Sequence, residues 1–139
     1  IFFLNSPHKN KTMSAKTIIN TKNAPAPIGP YNQAVKVNNM LFVSGQIAIN
    51  PADSSLNTSN IADETHQVMK NLEAILKEAG MGFENIVKTS IFLSDMNNFG
   101  KVNEVYGSYF TANFPARETV EVSRLPKDVN VEISVVASV

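Results

Sequence analysis

Residues Phe114 to Val136 read FPARETVEVSRLPKDVNVEISVV, and the rest of the chain is organised around this stretch. Two runs in it alternate as strands do, Glu118–Arg124 and Val131–Val136, joined by a polar turn through Pro126, Lys127, Asp128 and Asn130. Successive side chains of a strand leave on opposite faces. Val120 and Val122 therefore make the apolar face of the first run, and Val131, Ile133 and Val135 that of the second. The same parity turns Arg117, Thr119 and Glu121 to the other face of the first run, and Glu132 to that of the second. If the runs pair as an antiparallel hairpin with their valines together, that other face carries a guanidinium, a hydroxyl and two carboxylates. The chain's only two arginines, Arg117 and Arg124, both fall here.

Arg117 has two readings. It is either a solvated edge charge paired with Glu118 or Glu121, or a fork-shaped donor aimed at a small carboxylate, with Glu132 across the strand pair handling protons. Spacing alone does not choose between them.

The 139 residues make one domain's worth of chain, small enough that oligomerisation would help to bury its surface. Lys+Arg and Asp+Glu balance at 12 each, so no global field draws the chain to nucleic acid or to an anionic membrane. Charge is unevenly spread, since Lys9, Lys11, Lys16, Lys22 and Lys36 all precede the first acid, Asp53. Without cysteine there is no disulfide, thiolate nucleophile or thiolate metal site, and His8 and His66 lack ligand spacing, so a metal site is not expected. No apolar run approaches a bilayer span. The opening Ile1–Lys11 is apolar, then basic; residues 1–13 are set apart as an extension expected to be disordered, either a targeting remnant or sequence upstream of Met13. A cytoplasmic location is expected, or a mitochondrial one if residues 1–12 are a transit remnant.

Residues 14–139 read as one domain. Lys16–Asn20 is a short first strand, and Asn23 to Tyr31 packs three prolines and a glycine into a stiff, extended loop. Tyr31 at its end is either a core aromatic or a hydroxyl facing a site. Ala34–Val37 and Met40–Ser44 form a hairpin over Asn38-Asn39 and run into Ser44-Gly45-Gln46-Ile47, where the glycine marks a bulge or a close approach to the backbone. Ile61, Thr65, Val68, Leu72, Ile75, Leu76 and Ala79 then recur at helical spacing, with Asn60 as N-cap and Gly80 as stop; His66 is a boundary residue of that helix. Ile86–Leu93 is a buried strand, and Asp95–Asn98 offers caps for a second helix through Phe99, Val102, Tyr106, Tyr109 and Phe110. Asn103 lies off that helix's stripe, which by itself suits a solvated amide. Strand, hairpin, helix, strand, helix and two strands give an α+β fold, a mixed sheet with both helices on one face. The uncovered face, half polar, suits a wet subunit interface.

Three segments carry a resemblance. Pro115-Ala116-Arg117, Val120-Glu121-Val122, Arg124 to Val129 and Val131-Glu132-Ile133, with Gly29-Pro30-Tyr31 and Phe42 to Ile47, resemble the signature of the Rid (YjgF) family of reactive-intermediate deaminases. The likeness extends over about Ser14–Val139. It implies a chorismate-mutase-like fold, a homotrimer with clefts between adjacent subunits, and hydrolysis of short 2-imino or 2-enamino acids to 2-oxo acids and ammonia without cofactor or metal. Arg117 would grip the substrate carboxylate and Glu132 position and deprotonate water; Tyr31, Ser44, Gly45, Asn103 and Thr119 would line the pocket. The family commonly has a small residue after the arginine and then a cysteine, where this chain has Glu118 and Thr119. Strand parity points Glu118 away from Arg117, and activity is expected to persist. A ribonuclease or translation-inhibiting role, attributed to some members, and a non-catalytic metabolite pocket stand as the alternatives.

Overall fold

The computed structural model describes residues 15–139, and the expected extension, residues 1–13, lies outside them. The strands are β1 (Thr17–Ile19), β2 (Ala34–Val37), β3 (Met40–Gln46), β4 (Ile86–Leu93), β5 (Ala116–Glu121) and β6 (Val131–Ser138), with helices α1 (Ile61–Glu78) and α2 (Phe99–Gly107). They form one six-stranded sheet in the order β1-β2-β3-β6-β4-β5. β6 runs antiparallel to both β3 and β4, so those two share a direction, and β5 runs parallel to β4. Each helix is therefore the crossover between two like-directed strands, α1 from β3 to β4 and α2 from β4 to β5. Both crossovers step the same way across the sheet, and right-handed connections then place both helices on one face. This is the mixed α+β architecture expected from the sequence.

Local rules account for the pieces. The hairpin turn takes its positive φ at Asn38 (53°) and pairs Val37 with Met40. Asn60 caps α1 by accepting the Asp63 N–H at 2.8 Å, and Gly80 (φ 73°) supplies the left-handed residue after it. The α1 stripe Val68, Leu72, Ile75 and Leu76 is fully buried against Leu41, Val43, Ile91, Ile133 and Val135 of the sheet. α2 stops at Gly107, short of the expected Phe110: the Ser108 hydroxyl turns back to the Val105 carbonyl at 2.6 Å, and Tyr109 and Phe110 pack on the core from the turn that follows. No helix among the described residues is long and apolar enough to cross a membrane.

The expected hairpin of the last two strands does not form. β4 separates β5 from β6, and β5 spans Ala116–Glu121 instead of Glu118–Arg124. β6 is wholly buried at every second residue, the pattern of a strand that belongs in the centre, whereas β5 is exposed or half-buried throughout and takes the edge. Residues 122–130 are long enough to carry the chain past β4, through left-handed Lys127 and Asp128. The consequence reaches the predicted face. Register pairs Phe92 with both Val120 and Glu132, placing those three on the open face. Arg117 and Thr119 pair with buried Thr89 and Ile91, so they and Glu121 face the helices. The single polar surface joining Arg117, Thr119, Glu121 and Glu132 is thereby corrected.

The entry to β6 is fixed by a buried carboxylate. Glu64, in the first turn of α1 and fully buried, accepts the Asn130 N–H at 2.7 Å, the Asn130 side-chain amide at 2.9 Å and the Val131 N–H at 3.2 Å. Three donors satisfy a charge that would otherwise be costly to bury. Replacing Glu64 with Ala strands those donors and should lower stability by about 2–4 kcal/mol. Denaturant titration checks this, with Glu64→Gln, which still accepts, losing less.

Candidate functional site

β3 breaks register between Val43 and Gln46, the bulge signalled by Gly45. A Cβ there would lie 2.9 Å from the Glu132 carboxyl carbon and 3.1 Å from its Oε1, so a side chain at position 45 would push that carboxylate aside. The Glu132 carboxylate thus lies on the bare backbone of the neighbouring strand, half-buried, and burial raises its pKa above the ordinary carboxylate value. Beyond it opens a cavity of about 270 Å³ lined by Pro25, Ile28, Tyr31, Ser44, Ile47 and Pro126 among others. Glu132 is the one charged residue of that lining.

Each wall is held by backbone-directed hydrogen bonds. Buried Gln33 donates to the carbonyls of Thr21 at 3.0 Å and Pro25 at 2.9 Å and accepts the Thr21 N–H at 2.7 Å, which fixes the proline-rich strap. Tyr31 lies at the cavity's exposed rim; its hydroxyl accepts the Ile28 N–H at 3.2 Å and keeps its own proton to donate. The Ser44 hydroxyl gives its proton to the Asn32 carbonyl at 2.6 Å, so toward the cavity it offers lone pairs only. Asn71, buried on α1, donates to the carbonyls of Ile47 and Ile49 and secures the floor. A broader cavity of about 740 Å³ across the strap contains none of the expected site residues.

Arg117 sits elsewhere, in a cradle built by α2. Its Nη1 donates to Asn103 Oδ1 at 2.6 Å, and its guanidinium carbon lies 5.1 Å from the ring centre of Tyr106 and 5.8 Å from that of Phe99. Among the described residues no carboxylate lies within ion-pair distance of Arg117. Glu118 points to the open face and pairs with Lys88 at 3.4 Å, as parity required, while Glu121 accepts the Met96 N–H at 2.9 Å. Both acids of the edge-charge reading are therefore occupied elsewhere. Beside Arg117, Thr119 Oγ1 is the one buried side-chain polar atom among the described residues without a hydrogen-bond partner.

The seven expected residues thus fall into two groups. Tyr31, Ser44, Gly45 and Glu132 surround the cavity, whereas Arg117, Asn103 and Thr119 gather on the helix side of the edge strand. Within one chain Arg117 and Glu132 lie on opposite faces of the sheet. Tyr106, Phe99 and Gln33 were not anticipated. The first two had a signal, since Phe99, Asn103 and Tyr106 follow at +4 and +3 and so share a helix row. Gln33 had none, because its role is set by loop carbonyls distant in sequence. His66 is the boundary residue expected, its Nδ1 2.7 Å from the Tyr109 hydroxyl.

Comparison with known proteins extends this picture. A family model described as Endoribonuclease L-PSP matches residues 21–139. The human protein named 2-iminobutanoate/2-iminopropanoate deaminase is 46% identical over 122 residues, covering 88% of this chain and 89% of its own. A Yersinia pestis structure, titled as a protein of unknown function of the conserved Rid family, superposes with a TM-score of 0.88 at 52% identity, covering 90% of this chain and 100% of that one. The E. coli protein TdcF, solved with bound serine, gives a TM-score of 0.85 at 39% identity over 88% of this chain and 98% of that one. On a family match over residues 21–139 that includes all seven candidate site residues, and a superposition covering 90% of the chain, the chain belongs to the Rid (YjgF) family.

Proposed function

We propose that this protein hydrolyses reactive 2-imino and 2-enamino acids, such as 2-aminoacrylate and 2-aminocrotonate, to 2-oxo acids and ammonia. The observation that carries the reading is a guanidinium held in position without a carboxylate partner, in a chain whose cavity offers an acid of raised pKa but no cation. A 2-imino acid has a carboxylate and a C=N carbon side by side, and needs both. Serine, the ligand of the E. coli neighbour, likewise bears its nitrogen on the carbon next to the carboxylate. The human relative's name supports the same chemistry.

The steps follow from the side chains. Arg117 takes the carboxylate through its free N–H groups, Asn103 having claimed one. An enamine first passes to its imine by moving a proton from nitrogen to C3; water oxygen then bonds to C2 as the C=N electron pair withdraws to nitrogen, and Glu132 receives the proton that water sheds. The carbinolamine then collapses: nitrogen is protonated, the C–N bond breaks, and the hydroxyl loses its proton to become the carbonyl. Imine and water enter; oxo acid and ammonia leave, with Glu132 restored. The Tyr31 hydroxyl, its proton free, donates to the departing nitrogen or the forming oxygen, and the backbone at Thr119, on the strand of Arg117, is a second candidate contact.

Because the guanidinium and the cavity lie on opposite faces of one sheet, the site closes only if a second copy brings its edge strand and α2 to the cavity mouth. A homotrimer with three such clefts meets that need. The open face, with Phe42 and Val120 at 49% and 40% exposure among serines and Glu132, has the mixed character of a surface that subunits cover. The alternative reading draws on the Endoribonuclease description of the family model. A ribonuclease needs an acid–base pair and a basic groove, and His66 is engaged with Tyr109 in a chain of zero net charge.

The decisive assay generates 2-aminocrotonate with a dehydratase and follows oxo-acid release with and without this protein, beside an RNA-cleavage control. Acceleration is expected. Arg117→Ala should raise KM by about 30-fold or more, the loss of a desolvated carboxylate pair costing about 2–5 kcal/mol. Glu132→Gln should lower kcat with little change in KM, and an unaltered kcat would defeat its assigned role. Assayed well below the raised KM, where each variant alone is slow, co-expression of the two should return about a quarter of wild-type activity, since random assembly leaves that share of clefts with both groups intact; no recovery above the separate variants would place both groups in one subunit's site.

Glu132 also links activity to pH and stability. As the base it must be ionised, so kcat should rise with pH through its raised pKa, a limb absent in Glu132→Gln. Folding favours the protonated form of a group whose pKa is raised. Its contribution is therefore most favourable below the ordinary glutamate pKa and is lost as pH climbs through the raised value. Glu132→Gln should accordingly show the higher Tm at neutral pH, with the difference vanishing toward about pH 4.

A further inference from the structure

We propose that Tyr106 is a positioning residue, holding the Arg117 guanidinium in the orientation in which it receives a carboxylate. The purpose rests on the imino-acid reading above; the geometry does not. Tyr106 is 5% exposed and is fixed at both ends. Its hydroxyl donates to Thr89 Oγ1 at 3.0 Å, and its ring centre lies 5.1 Å from the Arg117 guanidinium carbon. Thr89 is fully buried on β4 and is the register partner of Arg117 on β5. The tyrosine thus spans from α2 to the strand beside the arginine, with its ring over the cation. Burial raises the Tyr106 pKa, which keeps the hydroxyl protonated as the donor this bond requires.

A cation over an aromatic face gains from the ring quadrupole, and a planar guanidinium also stacks there, which an ammonium cannot do. Asn103 fixes one N–H and thereby the rotation of the fork. Phe99, at 37% exposure, is the outer wall and the more dispensable one. Tyr106 is the inner wall and, through Thr89, the part referenced to the sheet. Its removal leaves Arg117 present and charged, yet free to sample rotamers in which its donors miss the carboxylate. Such a loss weakens substrate and transition state alike and is read in KM, not kcat.

The experiment is a double-mutant cycle of Tyr106→Leu and Arg117→Ala, with Tyr106→Phe as the milder change, following imine hydrolysis and, separately, 2-oxobutanoate binding by calorimetry. Tyr106→Leu should raise KM and the oxo-acid Kd about tenfold, leaving kcat within about twofold. Tyr106→Phe keeps the ring but strands Thr89, and should move both about threefold. In the Arg117→Ala background neither substitution should have further effect. An equal effect in both backgrounds, or an unchanged Kd in Tyr106→Leu, overturns the proposal; so does failure of the wild type to bind the oxo acid. If Tyr106→Leu does not fold, Tyr106→Phe alone decides, and no change in its KM or Kd overturns the proposal. Should the wild type bind the oxo acid with this pattern yet fail to hydrolyse imines, the positioning role stands while the deaminase reading falls.

Discussion

The structure depends on the seating of β6 between β3 and β4, anchored where it begins by the buried carboxylate of Glu64. A strand in that place needs an apolar residue at every second position and a fixed start, and it has both in Val131, Ile133, Val135 and Ala137 and in the Asn130 amide. Its neighbours then acquire their directions. β3 and β4 become parallel to one another, which requires a crossover between them, and α1 supplies it. The same carboxylate thus ties the first turn of the helix to the strand that the helix covers.

Two further consequences place the chemistry. With its first residue pinned, β6 presents Glu132 to the open face, directly against the β3 bulge. With the centre of the sheet taken, β5 is left to the edge, where Arg117 turns inward to α2. The guanidinium is held by rings and an amide in the helical layer, and the acid lies against the β3 backbone in the sheet. Neither arrangement brings an opposing charge to the other within a single subunit.

Much of this was legible in the residues. Periodicity gave the helices and strands, and Asn60, Gly80, Asn38 and Gly45 marked caps, turn and bulge where the structure has them. Parity within each run was right as well, Glu118 leaving from the face opposite Arg117. The pairing of the last two runs was not legible, because alternation says which side chains share a face of one strand and nothing about which strand lies alongside. Once β4 intervened, the faces of β5 and β6 had to be compared across it, and Arg117 and Glu132 parted. Tyr106 was visible as a core aromatic but not as the neighbour of Arg117, since that contact joins elements whose packing depends on the same pairing. Only resemblance pointed to Tyr31 and Asn103 as candidate site residues, where composition supported blander readings.

The closeness of Gly45 to the acid opposite it has a consequence for redesign. A methyl group at position 45 would meet the Glu132 side chain at 2.9 Å, and that flexible chain would have to turn aside, taking the carboxylate off the backbone it now lies on. Position 45 is therefore a handle on where the acid points, reached without altering the acid itself.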